Sequence, residues 1–180
     1  MKKLTLIIFC IFSVFTTSCD EKFDNTEFIG EWKANEQIPE DEIFVQFGKI
    51  PETGEVKGRI VSELQLMGNG RFTHNIRVIY TMLNKQGSVF RTGEYIVETR
   101  STGEWDISFG KLRLEPSSLE VSPISESAKD YFNKNPEIPE QLEKEFLAEN
   151  FALKIIDFTS NKFVTEGSWG YGTVTHYRVQ

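Results

Sequence analysis

Apolar and polar residues alternate along the middle of the chain, most clearly from Arg71 to Leu83. One side of this alternation carries Phe72, His74, Ile76, Val78, Tyr80 and Met82. A period of two is typical of a β-strand that has one buried face and one face in water. Sheets with one solvated face are commonly antiparallel, so this pattern predicts an antiparallel sheet.

The same alternation recurs in other parts of the chain, with turn signals between the runs. The further runs are Ile60 to Leu66, Val89 to Val97, Trp105 to Phe109 and Phe151 to Ile155. The turn signals are Gly68-Asn69-Gly70, Asn84 to Gly87, Ser101 to Gly103, Gly110-Lys111 and Ser160-Asn161. Strands that follow one another through short turns form a meander. We therefore predict a mainly β fold, an antiparallel up-and-down β-barrel of about 8–10 strands, which leaves no exposed sheet edge.

The alternation stops between Pro123 and Asn150, where a helical pattern replaces it. One helical face would carry Leu142, Phe146 and Leu147. Prolines and acidic residues near the start of this pattern suit a helix N-terminus. The sequence predicts a short helix over 126–134 and a second helix over 138–150. This helical insertion, at about 123–150, would precede the last strands and either cover the barrel or form a partner surface.

A different pattern occupies the N-terminus. Lys2 and Lys3 precede a mostly apolar stretch from Leu4 to Phe15, which small polar residues follow. The stretch is shorter than the roughly 20 apolar residues that span a bilayer. A positive start, a short apolar segment and small residues are typical of a secretory signal peptide. We predict a signal peptide of the lipoprotein type over residues 1–18.

A cysteine, Cys19, follows this segment directly, in the stretch "TTSCDEKFDN". It resembles the lipidation cysteine of bacterial lipoproteins, in the looser form found in the Bacteroidetes group. The resemblance implies that Cys19 carries acyl chains, that residues 19–27 form a lipidated tether, and that the protein is anchored in the outer membrane. Two or more acyl chains hold a protein stably on a membrane. The alternative is simple secretion with Cys19 as a free thiol.

The acidic residues after the cysteine are compatible with either face of the outer membrane. Asp20, Glu21 and Asp24 resemble a signal for transfer to the cell surface in lipoproteins of the same group. The alternative is a solvated tether on the periplasmic face of the outer membrane. Both locations remain predictions.

The charge of the chain restricts its partners. The formal net charge is −7, and removal of Lys2 and Lys3 with the signal peptide makes it −9. Such a protein repels phosphate groups, so we predict no nucleic-acid partner and no membrane contact driven by basic residues. Cys10 would leave with the signal peptide, so no disulfide is expected within the domain.

No arrangement of residues in the sequence points to catalysis. The two histidines are His74 and His176, and motifs such as HExxH, GxSxG or a phosphate-binding loop do not occur. His74 lies on the apolar side of its predicted strand, which favours a hydrogen-bonded core residue. We predict a protein that is not an enzyme, with no cofactor and no metal site.

Three short motifs carry a resemblance to a known family. They are Gly30-Glu31-Trp32, Gly103-Glu104-Trp105 followed by Lys111 to Leu114, and Thr175 to Val179. Together they resemble the lipocalin-like (calycin-type) domains of small Bacteroidetes lipoproteins. The resemblance implies that residues 28–180 form one lipocalin-like barrel. It also implies that Trp32 closes the barrel floor and that Arg178 covers it.

Two functions are compatible with such a barrel. In the first, which the resemblance favours, the barrel binds a small apolar or amphipathic ligand at the cell envelope. The candidate ligand-facing residues are Phe72, His74, Tyr80, Tyr95 and Trp105. In the second, large side chains fill the barrel, and its surface docks another envelope protein or a glycan. An eight-stranded barrel is wide enough to be either hollow or filled.

Overall fold

The computed structural model describes residues 23–38, 54–84, 89–148, 151–166 and 172–180, and these residues form eight strands in one closed barrel. The strands are β1 (Gly30–Ile38), β2 (Gly54–Leu66), β3 (Arg71–Asn84), β4 (Val89–Ser108), β5 (Lys111–Pro123), β6 (Phe151–Thr159), β7 (Lys162–Glu166) and β8 (Thr173–Arg178). Each strand pairs antiparallel with the next in sequence, and β8 pairs with β1. This confirms the predicted mainly β, up-and-down barrel.

Three helices accompany the barrel in the described part of the chain. They are α1 (Asn25–Phe28), α2 (Glu126–Lys134) and α3 (Ile138–Ala148). Helices α2 and α3 lie between β5 and β6, which confirms the predicted helical insertion before the last strands. The insertion prediction reached residue 150, and residues 149–150 lie outside the described residues. Phe146 packs against the barrel core, whereas Leu142, predicted on the same helical face, is 41% exposed.

One predicted turn is wrong. Strand β4 runs without a break through Ser101 to Gly103, where the sequence predicted a turn, and it carries a β-bulge between Thr102 and Gly103 instead. A Cβ atom added at Gly103 would lie 2.0 Å from the backbone oxygen of Glu115. The glycine therefore serves the close approach of two strands and not a change of direction. The two strands predicted on either side of Ser101 to Gly103 are therefore one strand, β4. The barrel has eight strands, at the lower end of the predicted range.

The bulge gives the first testable prediction. We expect Gly103→Ala to lower the free energy of unfolding by about 2–3 kcal/mol, because the added methyl group overlaps the backbone of β5. Urea unfolding followed by far-ultraviolet circular dichroism measures this change. Gly68→Ala is the matched control, since its Cβ would meet only the tip of the Ile29 side chain at 3.3 Å. Equal losses in the two variants would contradict the role of Gly103.

Phe109 was predicted to lie on the inward face of its strand, and this is also wrong. Phe109 and Gly110 form the two-residue turn between β4 and β5, and both have positive φ, 53° and 68°. Two central residues of positive φ are typical of a type I′ hairpin turn. The side chain of Phe109 consequently points away from the barrel and is 79% exposed.

The two ends of the barrel differ. Tight connections over 67–70, 109–110 and 160–161 lie at one end together with α1, and we call it the turn end. Helices α2 and α3 connect β5 to β6 from the opposite end, which we call the loop end. Residues 39–53, 85–88 and 167–171 lie outside the described ranges. The predicted turn from Asn84 to Gly87 falls largely on those residues.

The apolar interior consists of two groups of side chains. The larger group, the turn-end core, comprises Phe28, Trp32, Leu64, Leu66, Phe72, Trp105, Leu112, Leu114, Phe151, Leu153, Ile155 and Phe163. The smaller group, the loop-end cluster, comprises buried Ile38, Val56 and Tyr80 with partly buried Ile60, Val78 and Tyr95. The alternation in β3 thus placed Phe72 and Tyr80 on the correct face of the strand.

The wall of the barrel is uneven. Strands β2 to β5 have 13 to 20 residues, whereas β6 to β8 have 5 to 9. The paired register of β5 and β6 covers only Lys111–Leu114 and Phe151–Lys154. Beyond those pairs α3 packs against β5. The insertion therefore covers the part of β5 that is not paired with β6.

Candidate functional site

The structure brings together Trp32 and Arg178, the two residues that the family resemblance assigned to the barrel floor. The Cζ atom of Arg178 lies 4.1 Å from the centroid of the Trp32 ring. A guanidinium group at this distance is attracted to the negative face of an indole. Trp32 is fully buried, and its Nε1 donates a hydrogen bond to the carbonyl oxygen of Phe28 at 2.8 Å.

Arg178 also joins three segments of backbone at the turn end. Its Nε donates to the carbonyl of Ser160 at 2.6 Å, Nη1 to that of Ile29 at 2.8 Å and Nη2 to that of Glu27 at 2.6 Å. Gly30, with φ of 147°, leaves space for this guanidinium group, since a Cβ there would lie 2.5 Å from Nη1. In the Gly-x-Trp motif, the glycine thus leaves space for Arg178, and the tryptophan ring contacts its guanidinium group.

The segment before β1 closes the turn end of the barrel. The side chain of Asp24 accepts a hydrogen bond from Thr26 N, and the side chain of Glu27 accepts one from Asp24 N, which is a capping box for α1. The bond from Thr26 holds the pKa of Asp24 below its usual value. The ring of Phe28 stacks on that of Phe158 with centroids 4.3 Å apart. Phe23, which belongs to the predicted tether, packs on the turn-end core, and Asp24 in the same segment has a structural role that the sequence did not indicate.

A layer of polar side chains lies inside the barrel, and we call it the polar layer. Its buried members are Ser62, His74, Ser101, Thr165 and His176. Ser62 Oγ and His74 Nε2 share a hydrogen bond at 2.7 Å, and Thr165 Oγ1 and His176 Nε2 share a longer one at 3.4 Å. The position of His74 as a hydrogen-bonded core residue was predicted from the sequence, whereas those of Ser62, Ser101 and Thr165 were not. The period-two spacing of Ser62 between Ile60 and Leu64 was a usable signal for its inward position.

Both histidines of the polar layer are neutral at pH 7. Burial, together with the neighbouring His176, lowers the pKa of His74 to about 3. Burial also lowers the pKa of His176 to about 4. The His176 ring stacks on Phe163 with centroids 4.4 Å apart, and its Nδ1 has no hydrogen-bond partner among the described residues. The layer therefore brings hydrogen-bonding groups into the barrel without bringing charge.

Next to the polar layer the interior is tightly filled. A cavity of about 10 Å³ borders it, lined by Phe72, His74, Ser101, Leu114, Phe146, Phe151 and Leu153. A single water molecule needs a cavity of about 10–15 Å³, when the volume counted is the space open to the centre of a water-sized sphere. Drug-sized ligands occupy pockets of about 300–1,000 Å³. This part of the barrel thus has no space for a ligand of that size.

The five candidate ligand-facing residues fall into three different environments. Phe72 and Trp105 belong to the turn-end core, and Nε1 of Trp105 donates to Met67 O at 3.0 Å. His74 belongs to the polar layer. Only Tyr80 and Tyr95 lie in the loop-end cluster, with ring centroids 6.4 Å apart.

Tyr95 connects the loop-end cluster with the insertion. Its ring centroid lies 6.0 Å from that of Tyr131 in α2, in an edge-to-face arrangement. Burial and the neighbouring Tyr131 raise the pKa of Tyr95 to about 12. Helix α2 is fixed to the same strand by Ser125, whose hydroxyl accepts from Ile96 N at 2.9 Å and also caps the helix. Three phenol rings at the loop end therefore form a chain from β3 through β4 to the helix.

Several of the sequence predictions concern other kinds of site. Cys19 and the predicted signal peptide lie outside the described residues. Within the described ranges, histidine, cysteine and acidic side chains do not gather in threes that could hold a metal ion. The described helices are all too short or too polar to cross a membrane. Neither a protein-family model nor a curated protein matches this chain.

Proposed function

We propose that this protein binds a small amphipathic molecule in the loop-end half of its barrel. The observation that carries the proposal is the loop-end cluster, in which Tyr80 and Tyr95 stand beside the partly buried Ile60 and Val78. Apolar walls with a few hydroxyl groups are the usual lining of a small-molecule site. A ligand with an apolar body and one polar group suits such a lining.

The filled turn-end half supports this placement. Trp32, Phe72 and Phe163 are among the largest fully or nearly fully buried side chains, and they occupy the volume that a deep pocket would need. A ligand therefore reaches no deeper than the polar layer. A shallow site of this kind favours a small ligand over a long acyl chain.

The proposal includes the cellular address. We propose that the chain is a lipocalin-like lipoprotein of the Bacteroidetes type, without enzymatic activity, anchored through acylated Cys19 in the outer membrane. The motif around Cys19 and the Gly30-Glu31-Trp32 motif support this assignment by resemblance. The acidic charge of the chain supports an anchor made by acyl chains and not by basic residues.

A binding experiment tests the loop-end site. We expect a short-chain fluorescent fatty-acid analogue, and not a long-chain one, to bind the chain from Cys19 to Gln180 saturably, with one molecule per protein. Tyr95→Ala is expected to weaken binding about tenfold, because one aromatic wall of the site is lost. Tyr177→Ala is the matched control, since Tyr177 is 59% exposed on the outer face of β8 near the turn end, and its loss leaves the affinity unchanged. Equal weakening in both variants would contradict the proposed location.

A second function has its own supporting observation. Helices α2 and α3 expose Tyr131 and Leu142, and Ile124 is exposed two residues before α2, so the insertion carries three large apolar side chains on its outer surface. Such surfaces are typical of contacts with other proteins. If docking of another protein is the function, the barrel serves only as a scaffold. Binding of the fluorescent analogue is then not saturable, and Tyr95→Ala does not weaken it.

A further inference from the structure

Large apolar side chains remain in solvent at the turn end of the barrel. They are Ile29, Phe109, Ile156, Tyr177 and Val179. Backbone contacts place them at one end: Ile155 N, next to Ile156, donates to Gly110 O at 2.8 Å, and Val179 N donates to Glu31 O at 2.8 Å. Tyr177 pairs with Lys162, the first residue of β7. Exposed apolar residues thus surround the rim of the barrel floor.

Phe109 is the most unusual member of this group. Its φ of 53° lies in the left-handed region, which a bulky residue adopts at an energetic cost and which Gly, Asn or Asp adopts more readily. Its ring is also 79% exposed to water. Both features are unfavourable in an isolated protein, and a backbone outlier of this kind often marks a functional contact. A partner that takes up the ring would compensate for both.

The N-terminal segment indicates which partner lies at this end. Phe23 packs on Phe28 and Phe158, with ring centroids 5.8 and 5.9 Å apart, and Arg178 binds the carbonyl of Glu27. Cys19 is four residues before Phe23, and a chain extends by at most about 3.5 Å per residue. Cys19 therefore stays within about 14 Å of the packed Phe23. Any acyl anchor on Cys19 holds the turn end, and not the loop end, next to the lipid.

The charges at the turn end fit an interface with lipid headgroups. Exposed residues of both signs, such as Glu27 and Lys111, lie near the rim, and Asp157 and Lys162 form an ion pair at 2.7 Å. The rim therefore carries charges of both signs. Aromatic and aliphatic side chains enter the headgroup region without help from basic residues.

We propose that the turn end of the barrel is a membrane-contact surface, with the Phe109 ring inserted among the headgroups of a lipid bilayer. The inference rests on the lipid anchor at Cys19 that belongs to the proposed function. It assigns an orientation to the molecule: the barrel floor faces the bilayer. The loop-end cluster and the insertion then face away from the membrane, where a ligand or another protein can reach them.

Photocrosslinking from two positions tests this orientation. The chain from Cys19 to Gln180 contains a single thiol, that of Cys19, which couples to a maleimide lipid in phosphatidylcholine vesicles. One variant replaces Phe109 with p-benzoylphenylalanine, and the control variant replaces Tyr131, which is 45% exposed on α2, with the same residue. We expect at least about tenfold more lipid adduct from position 109, measured by mass spectrometry.

The outcomes separate the inference from the function on which it depends. Equal lipid adducts from both positions, or adducts from 109 that join only a second protein molecule, overturn the membrane contact of the turn end. Because the tether is synthetic, these results do not depend on natural acylation. The mass of the N-terminal peptide of the protein from its own cells tests the anchor itself. An unmodified Cys19 there overturns the anchor, and with it the orientation in the cell.

Discussion

Replacement of Trp32 by alanine is expected to lower the free energy of unfolding by about 3–5 kcal/mol. Trp32 is fully buried, contacts the ring of Phe163 at 4.7 Å between centroids, and carries the guanidinium group of Arg178 on its face. Its removal creates a cavity at the barrel floor and leaves the Phe28 carbonyl without its indole donor. Guanidinium unfolding followed by circular dichroism of the folded protein measures the loss.

Two control variants separate the contributions at the floor. Trp32→Phe retains an aromatic ring but removes the hydrogen bond to Phe28, so we expect a smaller loss of about 1–2 kcal/mol. Phe109→Ala removes an exposed ring and is expected to change stability by less than about 0.5 kcal/mol in the absence of membrane. A loss below about 1 kcal/mol for Trp32→Ala would show that the floor does not hold the barrel together.

Acid is expected to destabilise the protein as the pH falls below about 6.5, because two buried histidines are neutral in the folded state. His74 and His176 have pKa values of about 3 and 4 in the folded protein and about 6.5 when unfolded. Because the folded values are depressed, the stabilisation is complete above pH 6.5 and is lost as the pH falls below it. The free energy of unfolding falls by about 1.36 kcal/mol per pH unit for each histidine. At pH 5 each histidine therefore lowers it by about 2 kcal/mol, and the two together by about 4 kcal/mol.

The slope of stability against pH checks this expectation. Urea unfolding at intervals from pH 7.5 to pH 5 should show an uptake of about two protons on unfolding at the acidic end. Hydrogen bonds from Thr26 to Asp24 and from Lys162 to Asp157 lower the pKa values of both carboxyl groups, so their contribution to stability is lost only at lower pH than in unperturbed aspartates. His176→Gln is expected to halve the slope, since its amide can still bond to Thr165. A stability that stays constant from pH 7.5 to pH 5 would contradict the burial of both rings as neutral groups.

The sequence predicted the fold well where strands have one wet face and regular turns. In β3, Phe72 to Tyr80 alternate between core and solvent as expected, although Ile79 on the other face is also buried. The helical insertion was also predictable, because helix spacing and strand spacing differ clearly. Such patterns arise from residues that are close together in the sequence, so a single sequence is sufficient to recognise them.

The errors arose where a residue serves a distant part of the chain. Gly103 gave a turn signal, yet its missing side chain accommodates the backbone of β5, a contact between strands that local spacing does not reveal. Phe109 continued the apolar alternation, but the adjacent Gly110 starts a reversal that includes it.

The candidate site was only partly predictable for the same reason. The Trp32–Arg178 contact followed from a family resemblance, whereas the polar layer required knowledge of which strands face one another. Ser101 and Thr165 are ordinary polar residues in the sequence. They become part of one layer only when β4 and β7 enclose the same interior.

The short ladder between β5 and β6 has a consequence for how the chain can change over evolution. A strand that extends past its neighbour in a sheet leaves backbone groups without a strand partner, so changes in strand length are costly. A helix satisfies its own backbone groups, so α3 can gain or lose a turn without leaving a strand unpaired. Residues 124–148 are consequently the part of the wall where new surface shapes can be acquired at little cost to the remaining sheet.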